Sequence, residues 1–398
     1  MLLGILRTAW FLLCLLVFGY TFIVSGIIIN LLQCCSLVIW PFSRKIYRII
    51  NCKLAYYHWC QMVYLTDSWS SSNCVLYMTD DDVKYLGKET ALVIMNHKFD
   101  VDWLFGWVIT DRYKLLGASK VFAKNSLKYV PFIGWSWILL EMIFLRRDWN
   151  RDKPYLIEQL KVLAEYPLHC WTLLFCEGTR FTESKKARSN EIARAKGLPE
   201  LKHHLLPRTK GFVVVMEAFK GKVPAIYDCT LSCSADYAEP TMYNVVMGRK
   251  CQGHMLVRRI KITDVPTDTE ENTANFCHQI YQFKDRAYEH FQKNQTYENF
   301  EGGKFHKHVI PRRYASLLIE TFWVLVLAVP SFYYFISLMI NGSLWVTVTV
   351  FVFIVLSVLL IRAMISVTDR HQGSTYGKVA QKDENNGIVM NGSNKKIQ

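Results

Sequence analysis

The sequence predicts an α/β protein: a largely parallel or mixed sheet flanked by helices, carried between membrane segments. Three observations predict it. Short apolar runs, each the length of one buried strand, alternate with helical patterns through the middle of the chain. Long stretches free of charge lie towards both ends. The 398 residues are 51% hydrophobic but only 20% charged, against roughly 25% in a typical soluble domain. High apolar content excludes disorder as the main state, and its uneven spread excludes a plain soluble protein.

The first element is residues 8–43, which carry no charge. At about 1.5 Å per residue, a helix of this length exceeds one crossing of a roughly 30 Å hydrocarbon core. It is either one tilted span with a tail or two shorter helices broken near Ser25-Gly26 or Asn30. The run is too long for a cleaved signal peptide, and no small-residue cleavage site follows it. Residues 321–361 are equally free of charge. Pro330 and the Asn341-Gly342-Ser343 turn divide that region into two spans, 316–340 and 344–361, which form a hairpin. No ionisable residue is expected within the apolar stretches, which argues against a transporter.

Orientation follows from the flanking cations. Arg44, Lys45, Arg48 and Lys53 follow the first run, against Arg7 before it; Lys307, Arg312 and Arg313 precede the hairpin, and Arg362 and Arg370 follow it. The positive-inside rule places the middle of the chain and its tail in the cytosol. The final Lys395-Lys396-Ile397-Gln398 has the two-lysine pattern of cytosolic retrieval signals, so the expected location is the endoplasmic reticulum membrane, multi-pass. The 12 cysteines form no C-x-x-C pair and no zinc-like spacing, in keeping with a reducing compartment and no metal. The chain thus divides into a membrane anchor (1–43), one compact domain (44–311), a transmembrane hairpin (312–365) and a flexible tail (366–398).

Within the compact domain, residues 91–95, 171–176, 223–231 and 255–262 read as buried strands. Residues 154–166 read as a helix with Pro154 in its first turn, and 268–292 as another, opened by Asp268-x-x-Glu271 in a capping arrangement. In such sheets ligands collect where strands end and helices begin, just beyond Met95 and Cys176.

Beyond Met95 comes Asn96-His97-Lys98-Phe99-Asp100-Val101-Asp102. A histidine with a carboxylate to orient it has the makings of a general base. His97 and Asp102 are five residues apart, on different sides of a regular helix, so they meet only if His97 sits in the turn before the helix. Beyond Cys176 comes Glu177-Gly178-Thr179-Arg180, where glycine lets backbone approach an anion and arginine offers phosphate a bidentate fork. Phe144-Leu145-Arg146-Arg147 and Lys124 add further cations. Together these suggest a hydroxyl activated beside a phosphate.

In their order along the chain, Asn96-His97 with Asp102, Phe144–Arg147, Phe175–Arg180 and Val223-Pro224-Ala225 match the four motifs of glycerolipid acyltransferases. The whole resembles the 1-acyl-sn-glycerol-3-phosphate acyltransferases of the animal gamma/delta branch, through Gly117-Ala118-Ser119-Lys120-Val121, Tyr129-Val130-Pro131 and Leu206-Pro207-Arg208-Thr209-Lys210-Gly211-Phe212. Glu141 stands where the second motif commonly has glycine, and Ala225 where the fourth usually has a branched residue. The resemblance implies acyl transfer from long-chain acyl-CoA, as co-substrate and without another cofactor, to the sn-2 hydroxyl of lysophosphatidic acid. His97 would be the base and Asp102 its orienting acid. Lys124, Arg147, Glu177, Gly178, Thr179 and Arg180 would form the substrate site, with Arg180, Arg147 and Lys124 on the acceptor phosphate.

Cations from Lys185 to Lys210 suit the phosphates of CoA or anionic headgroups of the lipid bilayer. Nucleic acid is a poor partner, because no nucleic-acid-binding motif accompanies the charge; protein partners are not specified. The competing readings are an acyltransferase for another lysophospholipid, such as lysophosphatidylinositol or lysocardiolipin, and a non-catalytic membrane-shaping protein. The latter has no need of His97, Asp102 and Arg180 together.

Overall fold

The computed structural model describes residues 2–349, with 351, 352, 355, 356 and 359 beyond them. The chain opens with two helices, α1 (Leu2–Cys35) and α2 (Arg44–Tyr64). There follow β1 (Asn73–Met78), α3 (Asp80–Val83), β2 (Ala91–Met95), α4 (Asp102–Arg112), β3 (Lys120–Lys124), α5 (Ile133–Leu139) and β4 (Ile143–Leu145). Next come α6 (Trp149–Ala164), β5 (Trp171–Leu174), α7 (Glu183–Ala195), α8 (Thr209–Phe219), β6 (Ala225–Cys233), α9 (Met242–Val246) and β7 (Gln252–Lys261). The last are α10 (Glu270–Asn294), β8 (His306–His308), α11 (Ala315–Trp323) and α12 (Val329–Asn341).

One eight-stranded sheet runs in the order β4-β3-β5-β2-β6-β7-β1-β8. The first five strands are parallel; β7 is antiparallel to β6, β1 parallel to β7, and β8 antiparallel to β1. β2 lies between two parallel neighbours with all five residues buried, which accounts for its unbroken Ala-Leu-Val-Ile-Met. Alternate residues serve two cores: Leu92 and Ile94 join residues of α6, α8 and α10, whereas Ala91, Val93 and Met95 join Leu104, Phe105 and Ile109 of α4. The carboxyl ends of β2, β3, β4 and β5 therefore share one edge.

Two helix starts differ from the sequence expectation. Asp148 accepts a bond from Asn150 N, so α6 begins five residues before Pro154, which lies inside the helix rather than in its first turn. The cap of α10 is Thr269, whose side chain accepts from Asn272 N at 3.1 Å. Asp268 instead accepts from the Asn272 side chain at 2.6 Å.

α1 is one unbroken helix of 34 residues, so the break near Ser25-Gly26 or Asn30 is absent. Several polar groups of α1 and of the turn after it find partners on neighbouring helices. Thr21 donates to Glu320 at 2.9 Å, Gln61 to Ser25 at 2.8 Å, and Asn51 to Ser36 at 2.8 Å. Two stretches, Ala9–Ile39 and Ala315–Asn341, are long and apolar enough to cross a membrane. The second takes in Glu320, so the expectation of no ionisable residue in the apolar stretches is corrected: the side chain is buried and bonded to Thr21. Nor does Pro330 divide this stretch. A π-helical turn over Val324–Ala328 precedes it, and the helix continues to Asn341. Residues 344–349 are helical, whereas most of the expected second limb and the 366–398 tail fall outside the described residues.

Candidate active site

As the chain leaves β2, the buried Asn96 amide pairs both ways with Leu231 of β6, donating to its carbonyl at 2.9 Å and accepting from its N–H at 2.7 Å. The backbone then turns, and the helix begins only at Asp102. The fully buried Asp102 carboxylate accepts N–H bonds from Lys98 at 2.8 Å and Phe99 at 3.2 Å. His97 Nδ1 lies 3.1 Å from Asp102 Oδ2. The imidazole stacks on Phe175, with centroids 4.2 Å apart, and stays one-fifth exposed (20%). Asp102 thus engages one ring nitrogen and leaves the other for a ligand.

The segment after β5 is built around the same histidine. Glu177 is buried and accepts N–H bonds from His97 at 3.0 Å and Leu205 at 3.2 Å. Burial pushes this carboxyl up to about 8, against the partial relief those two bonds supply. Gly178 has φ +69, a conformation glycine takes freely, and a Cβ there would sit 2.9 Å from the Arg208 side chain, which would have to shift. Arg208 N donates to Cys176 O at 2.7 Å, which brings the loop before α8 alongside.

Cations crowd around this turn. Arg147 Nη2 donates to Gly178 O at 3.2 Å. Arg180 Nη1 donates to Asp100 Oδ1 at 2.8 Å. Lys185 donates to Thr179 Oγ1 at 3.2 Å and Arg180 O at 2.9 Å. Burial and then Arg208 lower the pKa of Arg147; burial, Arg180 and Arg147 lower that of Lys185. Cations that depress one another's pKa are stabilised by an anion arriving among them.

The structure therefore joins His97 with Asp102 and gathers Arg147, Gly178, Thr179 and Arg180 beside them. Glu177 sits behind this group, holding backbone. Lys124 is exposed at the end of β3, in register with Leu145, and makes no ion pair among the described residues. Sequence reasoning gave no separate role to Asp100, or to Asp152, which accepts N–H bonds from Arg146 at 3.0 Å and Arg147 at 2.8 Å and fixes Arg147 at φ +68. Nor did it single out two neighbours on α10. Lys284 is fully buried and donates to Ile94 O at 3.0 Å and Cys229 O at 2.6 Å, with Asp228 Oδ1 at 2.5 Å. Asp285 accepts from Lys202 N and His203 N, each at 2.8 Å, and meets His204 Nδ1 at 3.0 Å. The available signal was a pair of charges on the apolar stripe that also carries Tyr281 and Tyr288.

The unusual Glu141 has a physical account. It adopts φ +57, a conformation glycine takes freely, and a two-pronged pair with Arg48 of α2 at 2.7 and 2.9 Å holds it there.

Comparison with known proteins identifies the family. A family model described as "Acyltransferase" matches residues 77–234, and one described as "Acyltransferase C-terminus" matches 244–323. The chain is 42% identical over 376 residues to human 1-acyl-sn-glycerol-3-phosphate acyltransferase gamma, covering 94% of this chain and 97% of the relative. It is 42% identical to the delta enzyme of Bos taurus, over 94% of this chain and 96% of that one. Against the delta enzyme of Mus musculus the figures are 40%, 96% and 98%.

Proposed function

The chain belongs to the 1-acyl-sn-glycerol-3-phosphate acyltransferases and acylates lysophosphatidic acid, and from this premise we propose that the donor is long-chain acyl-CoA and that His97 is the base. The observation that carries the reading is the 3.1 Å contact between His97 Nδ1 and the buried Asp102, within a turn that also pairs Arg180.

The acceptor phosphate is held by Arg180 and Arg147, with Lys124 at the outer rim and Gly178 and Thr179 shaping the turn. This leaves the sn-2 hydroxyl at His97 Nε2. Nε2 takes the hydroxyl proton as the oxygen attacks the thioester carbonyl carbon. Asp102 accepts from Nδ1–H, fixes the tautomer and stabilises the imidazolium. The tetrahedral oxyanion collapses, the carbon–sulfur bond breaks, and CoA leaves as a thiolate that recovers the proton from His97. The reaction as written passes through no acyl-enzyme and uses no cofactor besides the co-substrate. Holding both reactants together removes much of the entropic barrier.

The protein is a membrane protein. The basic flanks and two-lysine terminus favour a multi-pass topology in the endoplasmic reticulum with this site facing the cytosol. The test is acyl transfer by purified chain from acyl-CoA to lysophosphatidic acid, following CoA release against phosphatidic acid formed. The His97→Ala variant is expected to insert normally and lose transfer altogether. Activity within a few-fold of the unmodified chain refutes the assignment.

A further inference from the structure

Apart from this site, the structure holds an open cavity of about 410 Å³ with a basic wall. Arg112, Lys114, His308, Arg312 and Arg313 line it, and no carboxylate residue belongs to the lining. It lies at the far end of α4 from Asp102, about 15 Å along the helix axis.

The charges do not cancel. Arg112 is nearly buried, donates to Asp67 at 3.0 Å and to Ile310 O at 3.1 Å, and has its Nε buried without a partner among the described residues. Arg312 meets the same Asp67 at 3.1 Å, and Arg313 meets Asp111 at 3.1 Å. Among the described residues, the ion-pair contacts of Asp80 are with histidines, at 3.6 Å from His308 and 3.9 Å from His306. Two carboxylates thus face three guanidinium groups, while Lys114 pairs with no carboxylate among the described residues. Lys114 is also held at φ +61, the position just past a helix where glycine or asparagine is usual. A lysine in that conformation costs backbone energy and places a cation at the cavity mouth. Arg312 and Arg313 lie three and two residues before α11, where the apolar stretch Ala315–Asn341 begins.

We propose that this cavity is a second anion site, distinct from the catalytic one, and that it takes a phosphate monoester presented by a membrane lipid. Guanidinium forks match phosphate oxygens, and an ammonium adds a point charge. A basic cluster at the start of a membrane stretch lies at headgroup level. Free phosphate shares this chemistry, so the test separates the two sources.

The full chain carrying His97→Ala, which cannot turn over, is titrated calorimetrically in detergent micelles with dioctanoyl phosphatidic acid, dioctanoyl phosphatidylcholine and inorganic phosphate. Phosphatidic acid, which also fits the catalytic site, is expected to bind in two classes. Adding Lys114→Gly relieves the left-handed backbone, so the melting temperature holds or rises, yet one class weakens about fivefold or more while the other is unchanged. Lys114→Glu is expected to abolish that class. Binding that neither Lys114 variant changes, or a loss that only follows a fall in melting temperature, overturns the proposal. Phosphatidylcholine binding as tightly as phosphatidic acid also overturns it. Inorganic phosphate competing at equal affinity assigns the site to free phosphate, whereas a clear preference for phosphatidic acid assigns it to the headgroup.

Discussion

Glu177→Gln is the sharpest probe of how the site is held. The two Glu177 oxygens accept from different stretches of chain, Oε1 from His97 N at 3.0 Å and Oε2 from Leu205 N at 3.2 Å. A carboxamide keeps one acceptor and turns an NH₂ towards the other N–H, so one buried backbone donor is left without a partner. That costs about 1–3 kcal/mol unless the chain moves to relieve it. If the turn moves, the imidazole shifts relative to Asp102 and to the acceptor hydroxyl. At about 1.4 kcal/mol per factor of ten, kcat is expected to fall roughly tenfold or more. The pH dependence of stability adds a second readout. Burial raises the Glu177 carboxyl from its usual 4.5 to about 8, so the folded chain keeps a proton that the unfolded chain has released. The stability tied to that proton is complete below pH 4.5 and is lost as pH rises towards 8, at up to about 1.4 kcal/mol per pH unit. Glutamine carries no such proton, so thermal melting in detergent between pH 5 and 8 should lose that downward slope. Wild-type kcat together with an unchanged slope refutes the reasoning.

Two further substitutions test the supports. Lys284→Met removes a buried cation that bridges Ile94 O, Cys229 O and Asp228, leaving Asp228 to Arg258 alone, and should destabilise the fold by about 3–5 kcal/mol in chemical unfolding. Gly178→Ala meets both the φ +69 backbone, at about 1–2 kcal/mol, and the Arg208 side chain 2.9 Å away. It should raise the KM for lysophosphatidic acid more than it lowers kcat, a split that initial-rate kinetics reads directly.

What the sequence made legible follows the range of the forces involved. β2 announces itself because its neighbours bury both faces, leaving no place for a polar residue between Ala91 and Met95. The His97–Asp102 pair is legible because the turn joining them is local: the backbone N–H groups of Lys98 and Phe99 are themselves what Asp102 binds. Asp285 offers no such clue, since its partners at 202–204 lie some eighty residues away and only folding brings them together. α1 shows the opposite failure. Ser25-Gly26 and Asn30 carry the local marks of a break, yet Gln61 and Glu320 supply lateral partners for Ser25 and Thr21, and tertiary hydrogen bonding overrides local propensity.

Asp100 changes how the first motif is understood. Asp102 orients His97 from within the turn, and Asp100, two residues earlier, pairs with Arg180 at 2.8 Å. Neither partner is a floppy surface group: the side chains are 18% exposed for Arg180 and 9% for Asp100. The backbone of a single turn therefore sets the separation between the imidazole and the guanidinium. On the proposed mechanism, a lysophosphatidic acid molecule spans that same separation from hydroxyl to phosphate. An acceptor bound by its phosphate alone would still sweep its hydroxyl past the base; one bound by a cation fixed to the base's own turn has much less freedom to lose. The Phe181 N–H donating to His97 O at 2.7 Å closes the same loop from the other side, so the two motifs are tied to each other through the backbone as well as through Asp100 and Arg180.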